Sequence, residues 1–285
     1  MNEKKETKRY CPGRKGGWEW RIWHEMFSEL IGSRELVWQL FLRNFKAKYR
    51  QTVLGFLWAL IMPLLVVAAF VFLNRAGVLN IGKIDIPYPA YALLGLTIWH
   101  IFAGGLMACS NSIVAGGNMV VKINFPKETL VLSSLGEALV ETMVRLALTA
   151  FVFALYKVVP AWTVILFPLT LIPLLLFTLG LGFMLSILNA VFRDVANIVS
   201  LSSTFLLFIT PVLYPEPKAA FFKAFTIFNP LAALVSGPRD LVVKGYLTQP
   251  ISYLFYSGLS LIIFIISWRL FHLAEIRIAE RVGAR

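Results

Sequence analysis

Glu137, Glu141 and Arg145 recur at four-residue steps inside an otherwise apolar run, a spacing that stacks all three on one face of a helix. Two chemistries suit such a stripe. It can line a polar cavity or meet a partner helix, or a carboxylate can neutralise the arginine in a structural ion pair that fixes the helix register. Other reactive groups are sparse. The three histidines, His24, His100 and His272, are far apart, and no HExxH or CxxC spacing occurs, so no metal-ligating set is expected. Cys11 lies in a polar region and Cys109 in an apolar one, so no structural disulfide is expected. The chain has no G-x-x-x-x-G-K-[ST] phosphate loop and is not expected to hydrolyse ATP or hold a cofactor. Asp85, Asp194, Asp240 and His100 have no helpers nearby in sequence, which argues against a membrane-embedded glycosyl- or acyltransferase and leaves no catalytic residue to name.

The elements that position these residues are set by hydropathy. With 58% hydrophobic residues, 15% charged and a mean hydropathy of +0.74, the chain carries more apolar surface than a soluble domain can bury. An all-α integral membrane protein is expected. Its net charge of +12 does not mark a nucleic-acid binder, because the cations crowd the N-terminal region and the ends of apolar segments. Anionic membrane lipid explains them.

Six segments are long enough to span a bilayer: residues 54–73, 88–114, 130–156, 162–192, 198–214 and 251–271. The fourth is overlong and contains Pro168, Pro173, Gly180 and Gly182, so a break is expected there. An even count places both termini on one side. Lys46, Lys48 and Arg50 before the first span, with Lys122, Lys127, Arg193 and Arg269, make that side cytoplasmic; Arg75, Lys83, Lys157, Lys218, Lys223, Arg239 and Lys244 remain outside. The layout is a cytoplasmic region 1–50, too polar and long for a cleavable signal peptide, a transmembrane domain 51–273, and a cytoplasmic tail 274–285.

Between Trp18 and Phe45, apolar residues recur at helical spacing among charges, as in one or two amphipathic helices lying on the membrane, the second starting near Ser33. In the loop after the second span, Pro126 and Glu128 suit the first turn of a short helix, and an exposed Phe125 could dock into a groove on a soluble partner; an ordinary turn is the alternative. Arg193 and Asp194 read as a solvated pair in a tight turn. Residues 215–250 are too apolar for a solvated loop and read as short re-entrant helices broken at Pro230, Gly237 and Pro238. Tyr88, Tyr91, Trp99, Tyr156, Trp162 and Tyr214 fall near span ends as interface anchors, although a sugar-conducting pore would use aromatic faces too.

Four separated motifs then become specific: FKAKYRQTVLGFLWALIMPLL at the first span, INFPKETLVL in the loop, FRDVANI between the fourth and fifth spans, and ITPVLYP leading to IFNPLAALVSGPRDLV. In this order they resemble the membrane subunit of ABC-2-type exporters, in the branch that handles O-antigen, capsule and teichoic acid. The resemblance implies a homodimer in the bacterial inner membrane with two copies of an ABC ATPase, which would hold the ATP and Mg. The substrate would be a lipid-linked polysaccharide, O-antigen first among them, with a drug or small-lipid exporter as the alternative. It also implies that Lys122, Asn124, Phe125, Pro126, Lys127 and Glu128 couple to the ATPase. Trp58, Phe70 and Asn74, with Thr204, Phe205, Phe208 and Tyr214, would line the path. Asn229, Pro230 and Arg239 would belong to an external gate.

Overall fold

The computed structural model describes residues 20–50, 55–77, 84–215, 226 and 228–283. Among these, every regular element is helical. Two helices, α1 (Trp20–Gly32) and α2 (Arg34–Arg50), meet at Ser33 and precede α3 (Trp58–Arg75) and α4 (Tyr88–Gly116). A short α5 (Asn118–Lys122) leads to α6 (Glu128–Leu155), followed by a one-turn α7 (Phe167–Thr170), α8 (Ile172–Val191) and α9 (Val195–Ile209). The chain closes with α10 (Pro230–Val243) and α11 (Pro250–Gly283).

α4 is the central post, buried along most of its length and packed against α3, α6, α8, α9 and α10, while α8 also packs on α11. Lipid supplies no hydrophobic drive for helices to pair, so close approach at small residues has to do it. A Cβ on Gly182 would stand 2.6 Å from the Cys109 Cβ, and one on Gly180 would stand 3.0 Å from the Phe264 backbone. Hydroxyl and amide groups add cross-helix bonds: Thr97 and Thr149 are 3.1 Å apart, and Asn189 Nδ2 donates at 3.0 Å to both the Ser110 carbonyl and Asn111 Oδ1. The buried apolar residues form two clusters. One is centred on the first half of α4, and the other joins α1, Phe125, the start of α6 and Phe271 of α11.

Among the described residues, five helical stretches are long and apolar enough to cross a membrane: Trp58–Arg75, Tyr88–Gly116, Glu128–Leu155, Trp162–Val191 and Pro250–Glu275. The break expected in the fourth is present, as a 3-10 turn at Trp162–Leu166 and a discontinuity at Leu171 before Pro173. The segment expected as a fifth span at 198–214 is instead a 15-residue helix ending at Ile209, about 22 Å long against a hydrocarbon core of about 30 Å. Pro211 is the cause. The residue before a proline is pushed from helical to extended backbone, and Thr210 sits at φ −84° and ψ 136°. The segment 274–285, expected as a tail, begins as a direct continuation of α11, which stays helical to Gly283.

Candidate functional site

The loop joining α4 to α6 is more buried than its composition predicts. Phe125, expected as an exposed tip, is 4% exposed and packs in the cluster with Ile22, Met26, Leu130 and Phe271. An aromatic ring next to α1 and α11 loses less by entering that cluster than by standing in water. Pro126, Lys127 and Glu128 are buried with it, whereas Lys122, Ile123 and Asn124 are exposed. The short helix of the loop is α5, before Phe125, and Pro126 instead opens the first turn of α6, accepting from the Thr129 N–H at 3.2 Å. Lys127 Nζ donates to the Ile123 carbonyl at 2.9 Å and lies 3.9 Å from the Phe125 ring centre. Burial holds the Lys127 ammonium below the usual lysine range, with Glu275 and Glu128 pulling the other way. Sequence spacing did not suggest that Glu128, His272 and Glu275 would meet, yet their ligand atoms lie within 4.8 Å of one another, all buried. Glu29 of α1 faces this group, and burial raises its carboxyl above the usual range against the pull of His272.

At the opposite end, Thr210 to Leu213 form a buried non-helical turn. It presses so closely on α4 that a Cβ on Gly95 would stand 2.3 Å from the Val212 carbonyl oxygen. Backbone groups in such a buried turn need partners, because an unpaired N–H or C=O away from water is costly. Arg239, expected among the external cations, is 3% exposed and donates from Nη1 to the Pro211 and Val212 carbonyls at 2.7 and 3.2 Å. Its guanidinium lies 4.4 Å from the Tyr91 ring centre. Asn229 caps α10 by accepting from the Leu231 N–H at 3.0 Å and donates to Thr210 Oγ1 at 2.9 Å, with Pro230 at the first helical position.

The breaks expected at Gly237 and Pro238 are absent. α10 runs through both, and Gly237 is used for close approach, since a Cβ there would stand 2.5 Å from the Tyr253 ring of α11. A polar cavity of about 220 Å³ opens beside it, bordered by Asp85, Tyr91, Arg239, Asp240, Lys244 and Thr248. Most of the preceding piece, 216–225 and 227, lies outside the described residues.

Of the intramembrane charges, Glu141 is bracketed by neighbours the four-residue spacing does not reveal: Lys48 Nζ of α2 at 2.5 Å and His100 Nε2 of α4 at 3.2 Å. Glu137 is hydrogen-bonded to Asn44 of α2. The acidic face of α6 therefore fastens α2 to the bundle. Glu141→Ala is expected to cost about 2 kcal/mol, the Lys48 share being reduced by water because that side chain is 50% exposed. Glu141→Gln should recover more than half, read as the thermal unfolding midpoint in detergent; equal midpoints for both variants would contradict the assignment.

Of the residues expected along a path, all but Tyr214 lie on α3 and α9, two of the least enclosed helices, and Tyr214 follows the turn after α9. Only 17% of α3 is buried and α9 buries Val199 alone. Trp58 is 44% exposed, Phe205 61% and Phe208 59%; Thr204 is exposed, while Phe70, Asn74 and Tyr214 are half-buried. Tyr214 Oη donates to the Phe208 carbonyl at 2.5 Å.

A bundle of long apolar helices is the build of a multi-pass membrane protein. The family model for ABC-2 type transporters matches residues 35–242, and the chain belongs to that family. It is 27% identical over 247 residues to an O-antigen export system permease protein RfbA of Klebsiella pneumoniae, covering 84% of this chain and 91% of that protein. It is 34% identical over 188 residues to an RfbA of Myxococcus xanthus, covering 66% and 71%. A polysialic acid transport protein KpsM of Escherichia coli is 23% identical over 244 residues, covering 83% and 92%.

Proposed function

We propose that this chain is the permease subunit of an ABC exporter that carries a lipid-linked polysaccharide, O-antigen in the first place, across the bacterial inner membrane. ATP hydrolysis would occur in two copies of a separate ATPase subunit, each holding its own ATP and Mg. The observation that carries this reading is the likeness to O-antigen export permeases over 91% of the length of one of them.

Two copies of the chain would meet through the open faces of α3 and α9, with Trp58, Phe70, Asn74, Thr204, Phe205, Phe208 and Tyr214 turned to the path. α9 would serve as the fifth of six crossings, completed by the turn that follows it. Both termini and the 122–128 loop would be cytoplasmic, and α10 with its Arg239 anchor would form the external gate as a re-entrant element. α1 would lie at the inner interface, where the apolar groove of about 610 Å³ between Trp20, Trp23, Phe27, Ile265 and Trp268 suits the acyl boundary.

Deleting the gene should strip the polysaccharide from the cell surface and leave lipid-linked polymer on the cytoplasmic side. Unchanged surface polymer with altered drug or lipid efflux would favour the small-substrate exporter instead. Ile123 is 53% exposed on the loop. Ile123→Asp is therefore expected to lower export at least about tenfold, a loss of about 1.4 kcal/mol of coupling, with the unfolding midpoint unchanged. Normal export by this variant would remove the exposed loop face from the ATPase contact.

A further inference from the structure

The last helix is longer than a crossing requires: α11 runs 34 residues, about 51 Å, and its lower part carries buried polar groups. His272 Nδ1 lies 2.9 Å from Glu128 Oε1 and 4.0 Å from Glu275 Oε2, and the side chains of His272, Glu128 and Glu275 are 10%, 4% and 2% exposed. A carboxylate only accepts, so the Nδ1–H donates to Glu128. Glu275 Oε1 accepts the backbone N–H of Lys127 at 2.8 Å, so a carboxylate on α11 caps the N-terminus of α6. Charge-assisted bonds of this kind are roughly twice as strong as neutral ones, and burial removes competing water. With a protonated imidazole, His272 and Lys127 balance Glu128 and Glu275, and Glu29 of α1 is the further acid facing the group.

The other end of the loop is built differently. Gly117 alone separates α4, which ends at Gly116, from α5, and it sits at φ 47° and ψ −131°, a conformation open to glycine alone. A glycine hinge absorbs a displacement, whereas a capped, ion-bridged helix start passes it on.

We propose that Glu128, His272 and Glu275 are positioning residues that splice the 122–128 loop onto α11, so that a push on the loop moves the last span directly. This rests on the reading of the loop as the ATPase contact. The motion would reach α10 as well, because Gly237 of α10 is seated on Tyr253 of the same α11. A stroke at the loop and a gate at the far end would then share one rigid helix.

The test uses Glu128→Cys/His272→Cys in a Cys11→Ser background, reconstituted with the ATPase subunit in vesicles. Polymer exported per ATP hydrolysed should fall about fivefold or more. Bridging the two thiols with a short reductant-cleavable bis-methanethiosulfonate should restore the ratio, and reductant should abolish it again. Wild-type coupling without the bridge, or coupling that stays low with it, would overturn the splice. Should the double variant not purify, His272→Leu and His272→Gln provide the same contrast. The glutamine keeps a donor toward Glu128 and should retain most of the coupling; equal losses would refute the role. Copurification of the ATPase with every variant separates this question from the loop reading. An ATPase that fails to bind even the wild-type chain would refute the loop reading, and the splice with it.

Discussion

Arg239→Ala should leave little folded protein in the membrane. The substitution strands the Pro211 and Val212 carbonyls in a buried turn, at about 1–3 kcal/mol each, and removes a cation–π contact with Tyr91 of about 1–2 kcal/mol. A total of about 4 kcal/mol is a large share of the roughly 5–15 kcal/mol that holds a folded protein together. Arg239→Lys keeps the charge but loses the planar fork, so it should recover only part. Fluorescence-monitored size-exclusion chromatography of the tagged protein gives the readout, and a wild-type yield and midpoint for Arg239→Ala would show that the turn is held some other way.

Phe125→Ala should be nearly as damaging, and for a reason unrelated to coupling. The ring is 4% exposed within a cluster to which α1, α4, α6, α8 and α11 all contribute, and its loss should cost about 3–4 kcal/mol in transfer and cavity terms. Phe125→Leu should cost less than half of that. The contrast with Ile123→Asp is the diagnostic one. Phe125→Ala lowers the unfolding midpoint, and Ile123→Asp lowers export at an unchanged midpoint. A Phe125→Ala protein with normal stability and abolished export would place the ring at the partner surface instead.

These two residues also mark where the sequence could be read and where it could not. The long spans were legible because twenty apolar residues in a row have few other uses, and the break in the fourth followed from its prolines. Pro230, expected to break the segment, instead opens α10, with Asn229 as its cap. The fifth span was overestimated because hydropathy continues through Pro211 to Tyr214, while the backbone does not. Proline at 238 suggested a break in α10 that packing against α11 and α4 overrides.

Side chains whose partners lie far along the chain were the least legible. Nothing local shows that Arg239 turns inward, that Glu141 meets Lys48 and His100, or that Glu128 meets His272 across 144 positions. The signal that existed was chemical: a carboxylate, a histidine or an arginine beside an apolar span has to find a partner.

The measurement that bears most directly on the account is purification of the tagged chain from its native membranes, followed by ATP turnover of whatever copurifies. An ATPase bearing a phosphate-binding loop is expected in equal amount with the chain, and its turnover in vesicles should rise when lipid-linked polysaccharide is added. A chain that purifies without an ATPase, or with one indifferent to the glycan, would contradict it.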